Sequence, residues 1–272
     1  MKKTALFVLC LYLVLLLLPN RSLAQPLKPV RISALLGGGA TVPQAALRSG
    51  DLHKIYLNWD TGDGYGLAKI GYNFGVKLKL KPAVLPVAFS ASFIYHTFSN
   101  DTSFTLNPLP GITTPSEKQF KLNGKIYSLS VGLEYYLGNF PVVHPYLGAE
   151  ASLNFINGKS STGSGSADVT INGASSSVSS SGSSFEVNIN TATRFGAGFG
   201  AGLTIQPPMA KFFINLEGKY CFAKLVGKSF TETGDGGNTV SLNDGKNPDT
   251  PDDHARSVNY ISFFVGIGVF IL

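Results

Sequence analysis

Residues 70–80 read IGYNFGVKLKL and alternate strictly between two kinds of side chain. Ile, Tyr, Phe, Val, Leu and Leu occupy one parity, and Gly, Asn, Gly, Lys and Lys occupy the other. Successive side chains of a strand point to opposite faces, so the stretch predicts a strand with one apolar face and one small or cationic face. Six apolar positions in a row at a period of two do not fit a helix. The fold therefore depends on whether the apolar face meets a protein core or lipid.

The N-terminus has the pattern of a secretory signal peptide. Lys2 and Lys3 precede an apolar run over residues 5–18, and Ser-Leu-Ala ends at Ala24. The run is too short for a membrane-spanning helix and stops at a proline, so we expect cleavage after Ala24 and an exported chain from residue 25 to 272. Losing residues 1–24 lowers the formal charge of +6 by three, which leaves no case for nucleic-acid binding. Cys221 is then the sole cysteine, which excludes an intrachain disulfide.

The same alternation recurs along the chain and predicts eight strands without a helix. They are expected near residues 30–40, 66–80, 87–98, 125–137, 145–156, 194–205, 210–223 and 258–272. Short links (81–86, 138–144, 206–209) alternate with long polar loops (43–65, 99–123, 157–193, 225–257). An even number of strands joined up-and-down places all short links at one end, and closure into an antiparallel barrel removes every sheet edge.

Two kinds of eight-stranded barrel suit an exported chain. A soluble lipocalin-like carrier turns its apolar face inward, whereas a membrane barrel turns it towards lipid around a polar interior. The apolar parity carries almost no charge in the predicted strands two to seven, and the other parity is small or ionic. A barrel of eight strands is just wide enough for side chains to fill. These features favour an all-β, closed, transmembrane barrel with short periplasmic turns and long extracellular loops.

The layout resembles the small eight-stranded outer-membrane barrels of the OmpA transmembrane-domain and OmpX type, the porin-family barrels of Gram-negative envelopes. The resemblance covers residues 25–272 and implies a single outer-membrane domain, with membrane lipids and the barrel-insertion machinery as partners. In that family the last strand alternates and ends in an aromatic residue that this machinery reads. Here residues 263–272, FFVGIGVFIL, alternate and carry an aromatic at Phe270, but end in Leu272.

The best-defined group of polar residues is a set of charges on the inward parity. Buried charges must be paired, because an uncompensated ion loses several kcal/mol of hydration. We expect Lys77 and Lys79 to share a level with Glu134 and Glu150, and the other charges to lie higher. The full set forms a structural lumen charge network, with a narrow ion path as the alternative. It comprises Lys69, Lys77, Lys79, Glu134, Glu150, Arg194, Glu217 and Lys219.

Other candidate sites give weaker patterns. His96 has the inward parity without a serine at the near-neighbour spacing of barrel hydrolases, so a hydrogen-bonded lumen histidine is expected rather than catalysis. The remaining histidines lack metal-ligand spacing. The aspartates of the 225–257 loop do not follow an ordered calcium-loop pattern, so a solvated loop is expected. The glycines of residues 196–202 lie within a strand and are not followed by a helix, which argues against a phosphate loop.

These observations predict a non-enzymatic envelope protein without a cofactor. Its role is structural, or it binds an extracellular ligand through the long loops, since recognition usually resides in loops on a rigid scaffold. A small-solute or ion pore and a soluble lipocalin-like carrier are the alternatives.

Overall fold

A computed structural model describes eleven stretches of the chain. They are residues 30–44, 70–82, 85–106, 116–138, 140–162, 166–171, 174–179, 185–208, 210–227, 239–240 and 257–271. The predicted signal peptide, Lys69, and most of the 43–65 and 225–257 loops lie outside these residues. Among the described residues, no helix is long and apolar enough to cross a membrane.

Within these stretches, eight long strands form the barrel and three short ones lie among the long links. The barrel strands are β1 (Arg31–Gln44), β2 (Gly71–Lys81), β3 (Val87–Leu106), β4 (Ser116–Tyr136), β5 (Val143–Thr162), β8 (Phe185–Ile205), β9 (Phe212–Val226) and β11 (Asn259–Phe270). The short strands are β6 (Ser166–Ile171), β7 (Ala174–Ser179) and β10 (Thr239–Val240). β6 pairs with β7, and β10 runs parallel to β8.

The barrel strands pair antiparallel with their neighbours in an unbroken circle. The order β8-β5-β4-β3-β2-β1-β11-β9 is closed by the pairing of β8 with β9. Closure satisfies the backbone hydrogen bonds of both outer strands, which is a requirement for a sheet immersed in lipid. Links 82–86, 137–142 and 206–211 lie at one end of the barrel, called here the short-link end. The opposite end is called the long-link end.

The apolar parity faces outward and the polar parity faces the lumen. On β2 the outward side chains are all exposed, from Tyr72 at 60% to Leu80 at 40%. Asn73, Lys77 and Lys79 of the same strand are each less than 5% exposed. This polarity is the reverse of that of a soluble barrel and matches a wall surrounded by lipid. The structure therefore confirms the predicted closed transmembrane barrel and argues against the lipocalin-like carrier.

Two predicted loops are partly wrong. The 99–123 loop is paired from Ser99↔Asn123 to Leu106↔Ser116, so β3 and β4 continue as a hairpin past the predicted boundary. The 157–193 loop likewise contributes the ends of β5 and β8, which pair as far as Thr162↔Phe185, and the β6–β7 hairpin. The backbone hydrogen bonds of the barrel wall extend into these segments, where the outward parity used for prediction is no longer apolar.

Candidate functional site

Six charged side chains form a single chain of ion pairs across the lumen. In order they are Lys79, Glu134, Lys77, Glu217, Lys219 and Glu150, called here the ion-pair chain. The Nζ–Oε distances along it are 2.8, 2.7, 2.5, 3.1 and 2.9 Å. Cations and anions alternate and are equal in number. Each interior member has an opposite charge on both sides, which is the arrangement that buried charges require.

At the end of the ion-pair chain nearer the short links, neutral side chains form further hydrogen bonds with its charged groups. The Tyr146 hydroxyl donates to Glu217 Oε2 at 2.7 Å and accepts from Asn215 Nδ2 at 3.1 Å. Lys79 Nζ also donates to Asn215 Oδ1 at 2.9 Å and lies 4.5 Å from the centre of the Tyr146 ring. The Tyr136 hydroxyl donates to Glu134 Oε2 at 3.2 Å. Strands β2, β4, β5 and β9 are thereby joined through the middle of the barrel.

His96 belongs to a second polar layer, nearer the long-link end. Its Nδ1 lies 3.1 Å from the Thr41 hydroxyl, and its ring centre is 4.6 Å from that of Tyr260. The Asn73 amide donates to the Thr41 hydroxyl at 3.0 Å and to the carbonyl of Ala40 at 2.9 Å. His96 thus contacts a threonine hydroxyl and an aromatic ring, which is an interior packing environment.

An apolar layer closes the lumen above His96. Its buried members are Phe98, Ile126, Ile156, Cys221, Ala223, Val258 and Tyr260. Two small voids of about 10 Å³ lie beside the ion-pair chain, one near His96 and Cys221 and the other near Lys77 and Glu134. A void of that size holds about one water molecule. Apart from these voids, side chains therefore fill the lumen around the ion-pair chain.

The glycines of β8 provide the space for the ion-pair chain. A Cβ placed on Gly198 would lie 3.0 Å from Glu150 Cγ, and one on Gly200 would lie 2.5 Å from Lys219 Cγ. A Cβ on Gly202 would overlap the Tyr146 ring. The alternating glycines leave one wall of the barrel bare so that long side chains from β5 and β9 can lie against it. The space that these side chains need explains the glycine pattern of residues 196–202, so a phosphate-binding loop is not required to explain it.

The structure brings together six of the eight charges predicted from sequence, with different partners for two of them. Glu150 contacts Lys219 rather than Lys77 or Lys79, and Glu217 contacts Lys77 at the level where Glu150 was expected. Arg194 is buried nearer the long-link end of β8, where its Nη1 donates to the Thr193 carbonyl at 2.9 Å. Lys69 lies outside the described residues.

Tyr146 and Asn215 are the functional side chains that sequence reasoning missed. Both are less than 2% exposed. Each shares the inward parity of a predicted glutamate on its own strand, Glu150 for Tyr146 and Glu217 for Asn215. The shared parity indicates that both side chains face the lumen. They were not predicted because only charged residues were considered as lumen partners. Among the described residues, no three His, Cys, Asp or Glu side chains converge as metal ligands.

An apolar exterior, a polar and filled lumen, and a closed antiparallel wall together define an integral membrane β-barrel. The model of the outer membrane protein beta-barrel domain family matches residues 25–225, and the chain belongs to that family. No curated protein sequence matches the chain.

Two solved structures of outer-membrane barrels are similar over nearly the whole chain. Neisserial surface protein A is 15% identical, with 90% of this chain and 99% of that one covered at a TM-score of 0.39. The attachment invasion locus protein Ail of Yersinia pestis, solved with a heparin analogue, is 14% identical, with 90% and 100% covered at a TM-score of 0.39.

Proposed function

We propose that this protein is a non-conducting, non-enzymatic scaffold of the outer membrane that holds a binding sheet on the cell surface. The observation that supports this most is the unequal length of the barrel strands. β3, β4, β5 and β8 have 20 or 21 residues, whereas β2 has 11 and β11 has 12. A tilted strand needs about 9–11 residues to cross a bilayer. About ten residues of each long strand therefore remain, roughly 30 Å of extended chain.

The outer face of the long strands changes character along their length. Phe93 and Leu129 are exposed and apolar, whereas Ser99, Asn123 and Lys125 on the same parity are exposed and polar. The change falls near Tyr95 and Tyr127, whose ring centres lie 5.0 Å apart in a row that begins at Phe74. Aromatic rings with a polar tip concentrate at the membrane–water boundary. The four long strands, neighbours in the barrel, thus support a sheet that stands in water beyond the lipid.

Sidedness is tested with an epitope tag inserted between residues 106 and 116, at the tip of the β3–β4 hairpin. We expect an antibody to label the tag on intact cells, because the long-link end is assigned to the exterior. A tag in the 137–142 link is the matched control and should be labelled only after the outer membrane is permeabilised. The reverse pattern would refute the assignment. N-terminal sequencing of the membrane-extracted protein tests the proposed cleavage after Ala24.

Ligand binding by the sheet is tested with a shortened hairpin. Deleting residues 99–123 and joining Phe98 to Gly124 through a two-residue turn retains the Phe98↔Gly124 pair and the barrel below it. Cells carrying either form are compared for attachment to an array of immobilised glycans and proteins. We expect attachment to fall while the heat-dependent gel shift of the folded barrel persists. Attachment unchanged by the deletion would contradict a role for this hairpin.

A pore is the second candidate, because the inner wall is polar and charged. The filled lumen favours the closed state. Single-channel recording of the purified protein in planar bilayers, comparing wild type with Glu134→Gln and Lys77→Met, separates the two. We expect no conductance from the wild type, whose ion-pair chain is intact. Steady wild-type channels that change with either variant would establish the pore.

A further inference from the structure

The short-link end of the lumen is surrounded by positive side chains. Arg31 of β1 and Lys81 of β2 are direct partners across the β1–β2 ladder, on the parity that faces the lumen. Like charges directly opposite each other in an antiparallel pair are destabilising. His144 of β5 lies within electrostatic reach of both. Lys211 precedes β9, and its carbonyl accepts a hydrogen bond from the Phe270 N–H at 3.0 Å. These four residues are called here the short-link mouth.

The strand ends that the structure describes at this mouth carry no Asp or Glu side chain. Segments 25–33, 81–88, 136–146 and 204–213 of the sequence contain neither Asp nor Glu. The lumen carboxylate that acts electrostatically on Lys81 is Glu134. Both oxygens of Glu134 are already engaged, one by Lys77 at 2.7 Å and the other by Lys79 at 2.8 Å. The ion-pair chain is neutral by itself, so among the described side chains it leaves the cations of the short-link mouth without an opposite charge.

Aromatic rings position two of these cations without neutralising them. Lys81 Nζ lies 3.8 Å from the centre of the Tyr136 ring, and Arg31 Cζ lies 5.8 Å from that of Phe270. An aromatic face attracts a cation through its quadrupole and carries no net charge. Phe270 also adjoins Lys211 through the main-chain hydrogen bond already described. The aromatic rings thus hold Arg31 and Lys81 in defined places at this opening without using their N–H donors.

We propose that the short-link mouth is an oxyanion site that binds a phosphate group through Arg31, Lys81 and Lys211. A phosphate carries more charge and more acceptor oxygens than a carboxylate, which suits an opening with three cations at its rim, and the arginine fork can bind two of its oxygens. The site lies where the barrel meets the polar boundary of the membrane. The phosphate of a phospholipid headgroup and a soluble phosphate compound can both reach it there.

The test uses the full-length protein refolded in a non-ionic detergent, with inorganic pyrophosphate as the soluble probe. Calorimetric titration should show binding to the wild type. Arg31→Gln and Lys81→Gln should each weaken the affinity about tenfold, equivalent to about 1.4 kcal/mol. Lys125→Gln removes an exposed cation near the long-link end and should leave the affinity unchanged. The heat-dependent gel shift shows whether each variant is folded.

The source of the phosphate is then distinguished in lipid nanodiscs. In nanodiscs of phosphatidylcholine alone, pyrophosphate binding should persist. If adding phosphatidylglycerol abolishes that binding, an anionic headgroup is the natural occupant; if it does not, the occupant is soluble. Wild-type protein that does not bind pyrophosphate in detergent would overturn the proposal. An equal loss of affinity in folded Lys125→Gln would also overturn it, because binding would then follow total charge rather than this site.

Discussion

Replacing Glu134 by glutamine should destabilise the barrel more than any other single neutralisation in the ion-pair chain. The Glu134 carboxylate is 2% exposed and bridges Lys77 and Lys79 at 2.7 and 2.8 Å. Lys77 retains Glu217 after the change, but Lys79 retains only neutral partners, the amide oxygen of Asn215 at 2.9 Å and the Tyr146 ring. One buried ammonium therefore loses its counter-charge. Removing one partner of a buried ion pair typically costs about 3–5 kcal/mol.

The lower part of that range applies here, because Asn215 still accepts from Lys79. We therefore expect Glu134→Gln to lower the free energy of unfolding by about 3 kcal/mol. Glu150→Gln is the matched control, since its partner Lys219 keeps Glu217 at 3.1 Å and the Glu150 side chain is 11% exposed. Its loss should be about 1 kcal/mol, which is the usual net value of one hydrogen bond.

The assay is urea unfolding in phospholipid vesicles, with the compact fraction read from gel mobility before heating. Adding Lys79→Met to Glu134→Gln removes the stranded ammonium and should restore most of the lost stability. A double-mutant cycle isolates this coupling. The reasoning is refuted if Glu134→Gln costs less than about 0.5 kcal/mol, or if the double variant is no more stable than the single one.

Three further predictions follow from the wall and its packing. Gly202→Val should lower the free energy of unfolding by about 1–3 kcal/mol, because the added side chain meets the Tyr146 ring. Gly148→Ala is the control and should be nearly neutral, because the atom nearest to its added Cβ lies 3.8 Å away. The urea midpoints of the two variants are compared. Val131→Lys, on an outward position that is 63% exposed, should cost about 2–4 kcal/mol in vesicles, and a neutral outcome would contradict a lipid-facing position at mid-depth. Cys221 is buried in the lumen and should react with a maleimide at least tenfold more slowly before boiling than after it. A tenfold ratio of rates corresponds to a free-energy difference of about 1.4 kcal/mol. Equal rates would place Cys221 at an accessible surface.

The wall of the barrel could be predicted from the sequence because the residues of each strand alternate between a lipid-facing and a lumen-facing side. The alternation in residues 70–80 fixes which side chains of β2 face lipid, and the structure confirms it residue by residue. The continuation of β3 and β4 past Phe98 and Gly124 could not be predicted in this way. Past that boundary the outward parity turns polar, as at Ser99 and Asn123, and Leu122 on the inward parity packs against the buried cluster that contains Phe98. A prediction that depends on an apolar outward face therefore ends at this point.

Which charged side chains pair across the lumen was harder to predict than which face of its strand each one occupies. Parity states that Lys77 and Glu217 both point inward, but their relative height depends on the stagger between strands around the barrel. β2 and β9 are separated by β1 and β11, so small offsets accumulate over three ladders. This is why Glu150, close to Glu134 in the wall, was expected beside Lys77, whereas the lumen places Glu217 there.

The ion-pair chain also helps to fix the register of the strands, because its charged side chains are stable in the lumen and not in lipid. An apolar lumen would not give this preference. A slip of one residue in β2 would turn Lys77 and Lys79 towards lipid. A lysine facing lipid costs about 2–4 kcal/mol at the bilayer midplane and about 0–1 kcal/mol near the interface, and Lys79 lies only two residues from Lys81 at that interface, so this register would be disfavoured by roughly 2–5 kcal/mol. Replacing Lys77 and Glu217 together by leucine leaves the other four charges paired, and such replacements are often neutral in stability. We expect this double variant to keep its urea midpoint but to refold into several bands on unheated gels, because β2 loses part of its register signal. A single compact band at the wild-type yield would show that the remaining lysine and the hydrophobic pattern are sufficient.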